Sequence, residues 1–215
     1  MWNGLVRRMS RREMAVLCLG LSICFLTCGF VQILSWGQMQ LHTGELLCSD
    51  TLRFHIRADS NSLLDQSVKL YIRDAILAYT DRFCTATDKP TALHWAAQNL
   101  PQLQLIAQQT LAEQGLRTPV RVRLVNMYFD TTRYRASLLP AGRYDAVRIE
   151  LGDENHYGKN WWCVLYPGLC RSVCGGYALP EENDLICGES IVRFKLVDWW
   201  HGMTVSRNDT VLVAG

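Results

Sequence analysis

The chain has 215 residues and a formal net charge of +2, with 49% hydrophobic and 20% charged residues. These proportions are ordinary for a globular protein and exclude a disordered or fibrous chain, and the length suits one domain, alone or behind a leader. The first 37 residues hold four arginines and one glutamate, a charge of +3, so the remaining 18 basic and 19 acidic residues sum to −1. Such a balance gives no electrostatic basis for a nucleic-acid partner, and none is predicted.

Residues 1–37 have the pattern of an export signal. Four arginines between positions 7 and 12 precede an apolar run from Met14 to Leu34, which is the order that the export machinery recognises. The small residues Ser35 and Gly37 would permit cleavage before Gln38. The run is also long enough to span the roughly 30 Å of a bilayer core, so a retained anchor is the alternative. We predict a signal peptide or membrane anchor here, with any membrane contact confined to it.

The cysteines are consistent with export. Three of the nine lie in the leader, and an even number in an exported segment permits disulfides, although six cysteines allow 15 pairings. A bridge between Cys163 and Cys170 would stabilise the domain by roughly 2–3 kcal/mol on the chain-entropy model. A four-cysteine zinc site is disfavoured because no Cys-x-x-Cys spacing occurs, and no metal or other cofactor is predicted. The six cysteines after the leader are Cys48, Cys84, Cys163, Cys170, Cys174 and Cys187.

The first half of the exported part predicts one strand and two helices. Residues 38–50 are interpreted as a short polar linker, and alternation over Leu52–Arg57 indicates a half-buried strand. The polar cluster at residues 59–62 can cap a helix that runs to Phe83 with apolar residues at three- and four-residue steps. A second helix is expected from about Thr91 to Gln114, with Pro101 as a possible kink.

The second half predicts mainly strands. Alternation indicates strands at residues 120–129 and 143–151, and a third apolar strand at 161–166 that a hairpin would join to the second. Residues 189–203 fit a terminal helix slightly better than a strand. The order β-α-α-β-β-β-α predicts an α/β fold: a single domain over residues 51–215, with helices packed on one face of a mixed sheet.

No common catalytic motif is present. The sequence has no nucleophile elbow, P-loop, His-Glu-x-x-His or Gly-x-Gly-x-x-Gly. A cysteine nucleophile, Cys163 or Cys174 activated by His55 or His156, is the remaining catalytic possibility. Because cysteines of exported chains are more often structural, we predict that the protein is not an enzyme.

Two clusters of unusual composition are candidates for partner binding. Residues 53–62 and the following helix place polar side chains at a strand end and a helix N-terminus, where binding sites often form. The alternative is a helix cap and a solvated helix face. In residues 159–170, adjacent tryptophans point to opposite faces of a strand, so one could meet a partner or be covered by the terminal helix. The candidate residues are His55, Arg57, Asp59, Asn61, Asp65, Gln66, Lys69, Arg73, Asp74, Asn160, Trp161 and Trp162.

These clusters resemble the stage II sporulation protein R family. The likeness covers about residues 51–170, with Gly168 in place of a second proline and with Cys174 and Cys187 additional to the family pattern. In the first block the matching residues are His55, Ala58, Ser60, Asp65, Gln66, Lys69, Arg73 and Asp74. In the second they are Gly142, Tyr144, Ala146, Gly152, Asn160, Trp161, Trp162, Cys163, Pro167, Leu169 and Cys170.

The resemblance implies a signalling role rather than an enzymatic one. Proteins of this family are made in the forespore and exported into the space between forespore and mother cell. There they are needed to activate a membrane-embedded aspartic protease, which processes the precursor of an early mother-cell sigma factor. That protease is therefore the expected partner. Two alternatives of other classes are a secreted cysteine-dependent enzyme and a cell-wall binding module whose exposed tryptophans contact glycan.

Overall fold

The structure is a computed structural model that describes residues 10–133, 138–153, 158–167 and 208–214. The chain divides into two units, Met1–His42 and Thr43–Gly215. The helices are α1 (Arg11–Asp50), α2 (Leu63–Phe83) and α3 (Lys89–Glu113). The strands are β1 (Leu52–Arg57), β2 (Val120–Phe129), β3 (Thr132–Arg133), β4 (Leu138–Leu139), β5 (Gly142–Leu151), β6 (Asn160–Tyr166) and β7 (Thr210–Ala214).

The described part of the first unit consists almost entirely of α1. An 18-residue window of this helix has a mean hydropathy of 2.4, and none of the window is buried. Within the described residues, α1 is the one helix long and apolar enough to cross a membrane, judged by length and composition. The prediction of an apolar N-terminal segment that could serve as a signal or an anchor is confirmed.

The segment predicted as a linker, residues 38–50, is helical. It continues α1 to Asp50, and its last eight residues belong to the second unit. The side chains of Thr43 and Leu47 are buried, and the Thr51 hydroxyl donates a hydrogen bond to the Leu47 carbonyl at 2.6 Å. Residues 43 and 47 lie on one face of a helix because they are four positions apart. The polar composition of residues 38–50 gave no indication of this short buried stripe.

The second unit is built on the predicted mixed sheet, which is confirmed. Its strand order is β6-β1-β5-β2-β7. Strand β1 runs parallel to β5 and antiparallel to β6, and β2 pairs antiparallel with both β5 and β7. Strands β3 and β4 form a separate two-stranded ladder. The prediction of a hairpin between β5 and β6 was wrong, because β1 inserts between them.

Two long helices cover one face of the sheet, as predicted. The side chain of Ser62 caps α2, and that of Asp88 caps α3. Helix α3 passes through Pro101 without ending and stops before Gly115, which has a φ of +72°. Alternate strand residues such as Phe54, Val122 and Ile149 pack with both helices in one apolar core.

The opposite face of the sheet carries a smaller apolar cluster and a set of charged residues. The cluster contains Val125, Met127, Phe129, Tyr144 and Ala146, with Cys48 from the end of α1 packed against it. Strand β7 was not predicted, and the predicted terminal helix at 189–203 lies outside the described residues.

Candidate functional site

The two clusters singled out in the sequence meet at one end of the sheet. Because β1 and β6 are antiparallel, the end of β1 lies beside the start of β6, and Arg57 pairs with Asn160 in the register. The amide of Lys159 donates to the Asn61 side-chain oxygen at 2.9 Å, across 98 positions of sequence. We call this region the polar junction: residues 57–62, the first turns of α2 to Asp74, and residues 158–160.

Asp65 organises the turn that enters α2. The Ser62 hydroxyl accepts a hydrogen bond from the Asp65 amide at 3.0 Å and donates one to the Asp65 carboxylate at 2.9 Å. The Ser60 hydroxyl donates to the same carboxylate. Gln66 adds a hydrogen bond from its side-chain amide to the Ser60 carbonyl at 2.7 Å. Asp65 and Gln66 therefore hold the turn in place, as the helix-cap interpretation predicts.

Lys69 joins α2 to the start of β6. Its ammonium group donates to the Gln66 side-chain oxygen at 2.7 Å and to the Lys159 carbonyl at 2.9 Å. Lys69 is buried, and burial, together with the nearby charge of Lys159, lowers the pKa of its ammonium group. A buried lysine that donates to a carbonyl from a distant segment acts as a structural tie rather than a free contact.

Two glycines permit the close approach of backbone segments at the junction. Gly152 has a φ of +85°, and a Cβ added there would lie 1.8 Å from an oxygen of the Asp59 carboxylate. At Gly158 a Cβ would lie 2.4 Å from the Ala58 carbonyl oxygen. The Gly158 amide donates to that same carbonyl at 3.1 Å. Both positions therefore need a residue without a side chain.

Trp161 packs between the core and α2. Its ring makes an edge contact with Phe54 at 5.8 Å between centroids, and the Arg73 guanidinium lies 5.3 Å from the ring centroid. Arg73 also pairs with the Asp74 carboxylate at 2.7 Å. Trp161 is half-buried, and both contacts fix its ring in the domain. The side chain of Trp162 lies outside the description.

A buried charged cluster lies on the sheet face opposite the helices. The Glu150 carboxylate forms ion pairs with three guanidinium groups: Arg57 at 3.3 Å, Arg148 at 2.9 Å, and Arg123. Burial alone would raise the pKa of Glu150, but the charges of Arg148, Arg123 and Arg57 outweigh it and lower that pKa. Arg148 also pairs with Asp209. Three strands thus converge on one carboxylate.

His55 and Arg53 extend this cluster along β1. Arg53 is fully buried, and its guanidinium lies 4.0 Å from the Phe129 ring centroid and 5.1 Å from that of Tyr144. Burial lowers the pKa of His55 to about 3, against a hydrogen bond to Asn160 that acts to raise it. His55 is therefore a neutral imidazole at physiological pH and belongs to the packed interior.

Cys163 does not form the proposed nucleophilic pair with His55. Cys163 is disulfide-bonded and pairs with Phe54 in the register, so it faces the helices, whereas His55 points to the opposite face. The other described cysteines are free, and Cys170, the predicted partner of Cys163, lies outside the described residues with Cys174 and Cys187. Burial raises the pKa of Cys48 to about 11. The described residues contain no cluster of three or more His, Cys, Asp or Glu side chains that could hold a metal.

The structure sorts the predicted site residues whose side chains it describes into three groups. His55, Arg57 and Lys69 are buried, whereas Asn61, Asp74 and Asn160 are exposed; Asp59, Asp65, Gln66, Arg73 and Trp161 lie between these limits. The arginine cluster around Glu150 was missed. The sequence signal for this cluster is the set of polar residues that alternate with apolar ones in β2 and β5. Such residues ordinarily form the solvent-exposed face of a sheet, so they did not indicate a buried cluster.

An apolar N-terminal helix that could serve as a signal or membrane segment, followed by an α/β domain with a mixed sheet, defines the class of protein to which this chain belongs. The family model for stage II sporulation protein R matches residues 48–174, which include the described junction and the charged cluster apart from Asp209. Stage II sporulation protein R of Bacillus subtilis (strain 168) is 36% identical over 135 residues. That match covers 62% of this chain and 59% of the relative, and no solved structure matches the chain.

The chain therefore belongs to the stage II sporulation protein R family, and this membership implies a role in sporulation. The resemblance predicted from the sequence is confirmed.

Proposed function

We propose that this protein is an exported signal of sporulation that passes from the forespore to the mother cell. In this proposal it activates a membrane-embedded aspartic protease, and the protease then processes the precursor of an early mother-cell sigma factor. The observation that carries the proposal is the family match over residues 48–174. The apolar helix α1 is consistent with passage into, or across, the membrane.

The chemistry of the described residues favours a ligand over an enzyme. His55 is buried with a pKa of about 3, so it is a poor proton acceptor at neutral pH. Cys163 is disulfide-bonded and faces away from it. A secreted cysteine-dependent enzyme that uses Cys163 is therefore disfavoured, because the nucleophile must be a thiolate.

Within this proposal the exposed residues of the polar junction contact the partner, and the buried ones hold them in place. Asn61, Asp74 and Asn160 are exposed, on the turn, on α2 and on β6 respectively. Lys69 and Arg57 lie behind them and connect the same elements. A site on strand and helix ends with its own supporting contacts is rigid, which lowers the entropy cost of binding.

The proposal is tested by deletion in a sporulating host. We expect the sigma factor precursor to remain unprocessed in the deletion strain, and processing to return when the full chain is supplied in the forespore. Immunoblots of precursor and product at successive times provide the measurement. If processing proceeds normally without the protein, the proposed function is wrong.

A second experiment tests whether the polar junction contacts the protease. A photoreactive amino acid replaces Asp74 at the junction, or Glu113 as a matched control at the exposed end of α3. Irradiation during sporulation should join the Asp74 position, but not the Glu113 position, to the protease. Equal crosslinking from both positions would mean that the junction is not the contact surface.

A further inference from the structure

The last two turns of α1 are packed into the second unit. The side chains of Thr43 and Leu47 are buried, and that of Leu47 is fully buried. Cys48 packs against the smaller apolar cluster on the sheet face opposite the other two helices. A Cβ added at Gly142 would lie 2.6 Å from the Cys48 sulfur atom, so this end of α1 lies directly against the start of β5. We call residues 43–50 the α1 brace.

Polar contacts also hold the α1 brace in the domain. The Lys89 ammonium group donates a hydrogen bond to the Ser49 carbonyl and pairs with the Asp145 carboxylate at 2.7 Å. One side chain of α3 therefore connects the brace to β5. The Thr51 hydroxyl donates to the Leu47 carbonyl where the brace meets β1. Proteolysis needs a segment that can open locally, so burial and these hydrogen bonds protect the brace from cleavage.

The part of α1 just before the brace has the opposite character. A Cβ added at Gly37 would have no atom within 4 Å, and the side chain of Gln38 is exposed. Ser35 and Gly37 place small residues three positions and one position before the Gly37–Gln38 bond, which is the spacing that a leader peptidase recognises. The next glycine, Gly44, lies within the brace, and the residue two positions before it is the bulky His42. The Gly37–Gln38 bond is therefore both accessible and correctly flanked.

We propose that a leader peptidase hydrolyses the Gly37–Gln38 bond and that the released domain keeps the α1 brace as its first folded element. The reaction consumes one water molecule and breaks the amide bond, which leaves a carboxylate on Gly37 and an amine on Gln38. Helix α1 then has two roles, as a signal up to Gly37 and as a part of the domain from Thr43 onward. The family model begins its match at residue 48, so most of the brace precedes the matched region. The proposed function requires export but specifies neither this cut nor this N-terminal element.

The position of the cut is tested with the full chain, carrying a C-terminal tag, in a sporulating strain that lacks its own copy. Mass spectrometry of the tagged protein outside the membrane fraction should find an N-terminus at Gln38. Gly37→Leu puts a large side chain next to the bond, and it should lower the amount of released protein by about tenfold or more. Gly29→Leu is the matched control, because Gly29 lies in the same helix and also has no atom within 4 Å of an added Cβ. This control should be released like the wild type.

Two substitutions in the α1 brace test its place in the fold. Leu47→Ala removes a fully buried side chain, and Glu45→Ala removes an exposed one two positions earlier as the matched control. Urea unfolding of each full chain in mild detergent provides the measurement. The midpoint of Leu47→Ala should fall by about 1 M or more, from the usual cost of truncating a core leucine and the usual urea slope. The midpoint of Glu45→Ala should match that of the wild type.

Three results would overturn the inference. They are a released protein that begins at any residue other than Gln38, a chain recovered only uncut in the membrane fraction, and equal urea midpoints for Leu47→Ala and Glu45→Ala. Sigma factor processing in the same strains separates this failure from that of the proposed function. If the chain stays uncut while processing depends on it, the cut is wrong and the proposed function stands. If the deletion strain processes the precursor normally, the proposed function fails wherever the cut lies.

Discussion

Gly158 offers a direct test of how the polar junction is assembled. Its amide donates to the Ala58 carbonyl at 3.1 Å, and a Cβ at this position would lie 2.4 Å from that oxygen and 2.6 Å from the Ser60 carbonyl oxygen. Both obstacles are backbone atoms, so no side-chain rotation relieves them. We predict that Gly158→Ala forces the turn before α2 away from the start of β6.

The size of the effect follows from two contributions. Overpacking of a tight contact costs about 1–3 kcal/mol, and the loss of one hydrogen bond costs about 1 kcal/mol. We therefore expect Gly158→Ala to lower the free energy of unfolding by about 2–4 kcal/mol. The close approach to two backbone oxygens accounts for this loss.

Gly115→Ala is the matched control. Gly115 has a φ of +72°, but a Cβ there would have no atom within 4 Å. Backbone strain should cost about 1 kcal/mol in this variant. Urea unfolding of each full chain in mild detergent, followed by tryptophan fluorescence, gives the two free energies. The packing argument is refuted if Gly158→Ala is no more destabilising than Gly115→Ala.

The charged interior leads to further predictions. The folded-state pKa of His55 (about 3) lies below its usual 6.5, so the unfolded state binds more protons between these values. Stability should fall by about 1.4 kcal/mol per pH unit as pH drops below 6.5, and His55→Leu should remove that slope in urea titrations at several pH values. Glu150→Gln should cost about 3–5 kcal/mol in the same assay because it leaves three guanidinium groups without their carboxylate, whereas Asp74→Asn, at an exposed pair, should cost under about 1 kcal/mol. Ser62→Ala should cost about 1 kcal/mol through loss of the α2 cap, and an unchanged urea midpoint would contradict the role given to that cap.

The elements that the sequence predicts are those with a local periodic pattern. Strands β1, β2 and β5 show two-residue alternation, and α2 shows helical spacing of its apolar residues. Each pattern marks the face that packs into the one core that these elements share. The caps at Ser62 and Asp88 use side chains within four residues of the helix start, so they too are local features.

Strand order and buried charge could not be predicted, because both depend on contacts between distant segments. The β5–β6 turn is rich in polar residues and indicates a hairpin, yet β1 occupies the space between the two strands. The carboxylate of Glu150 binds arginines from three strands, and each arginine alone has the pattern of a solvent-facing residue.

The position of β1 has a consequence for the timing of folding. Leu52 pairs with Asp145 on one side and with Tyr166 on the other, more than 90 positions later in the chain. In a chain that crosses a membrane from its N-terminus, β1 emerges before β5 and β6. It cannot pair with either strand until that strand has also emerged. Closing such long loops is slow, and it gains no contacts until the later strands arrive. Under the proposed export, β1 therefore gains both of its neighbours only on the far side of the membrane, so the sheet is completed there.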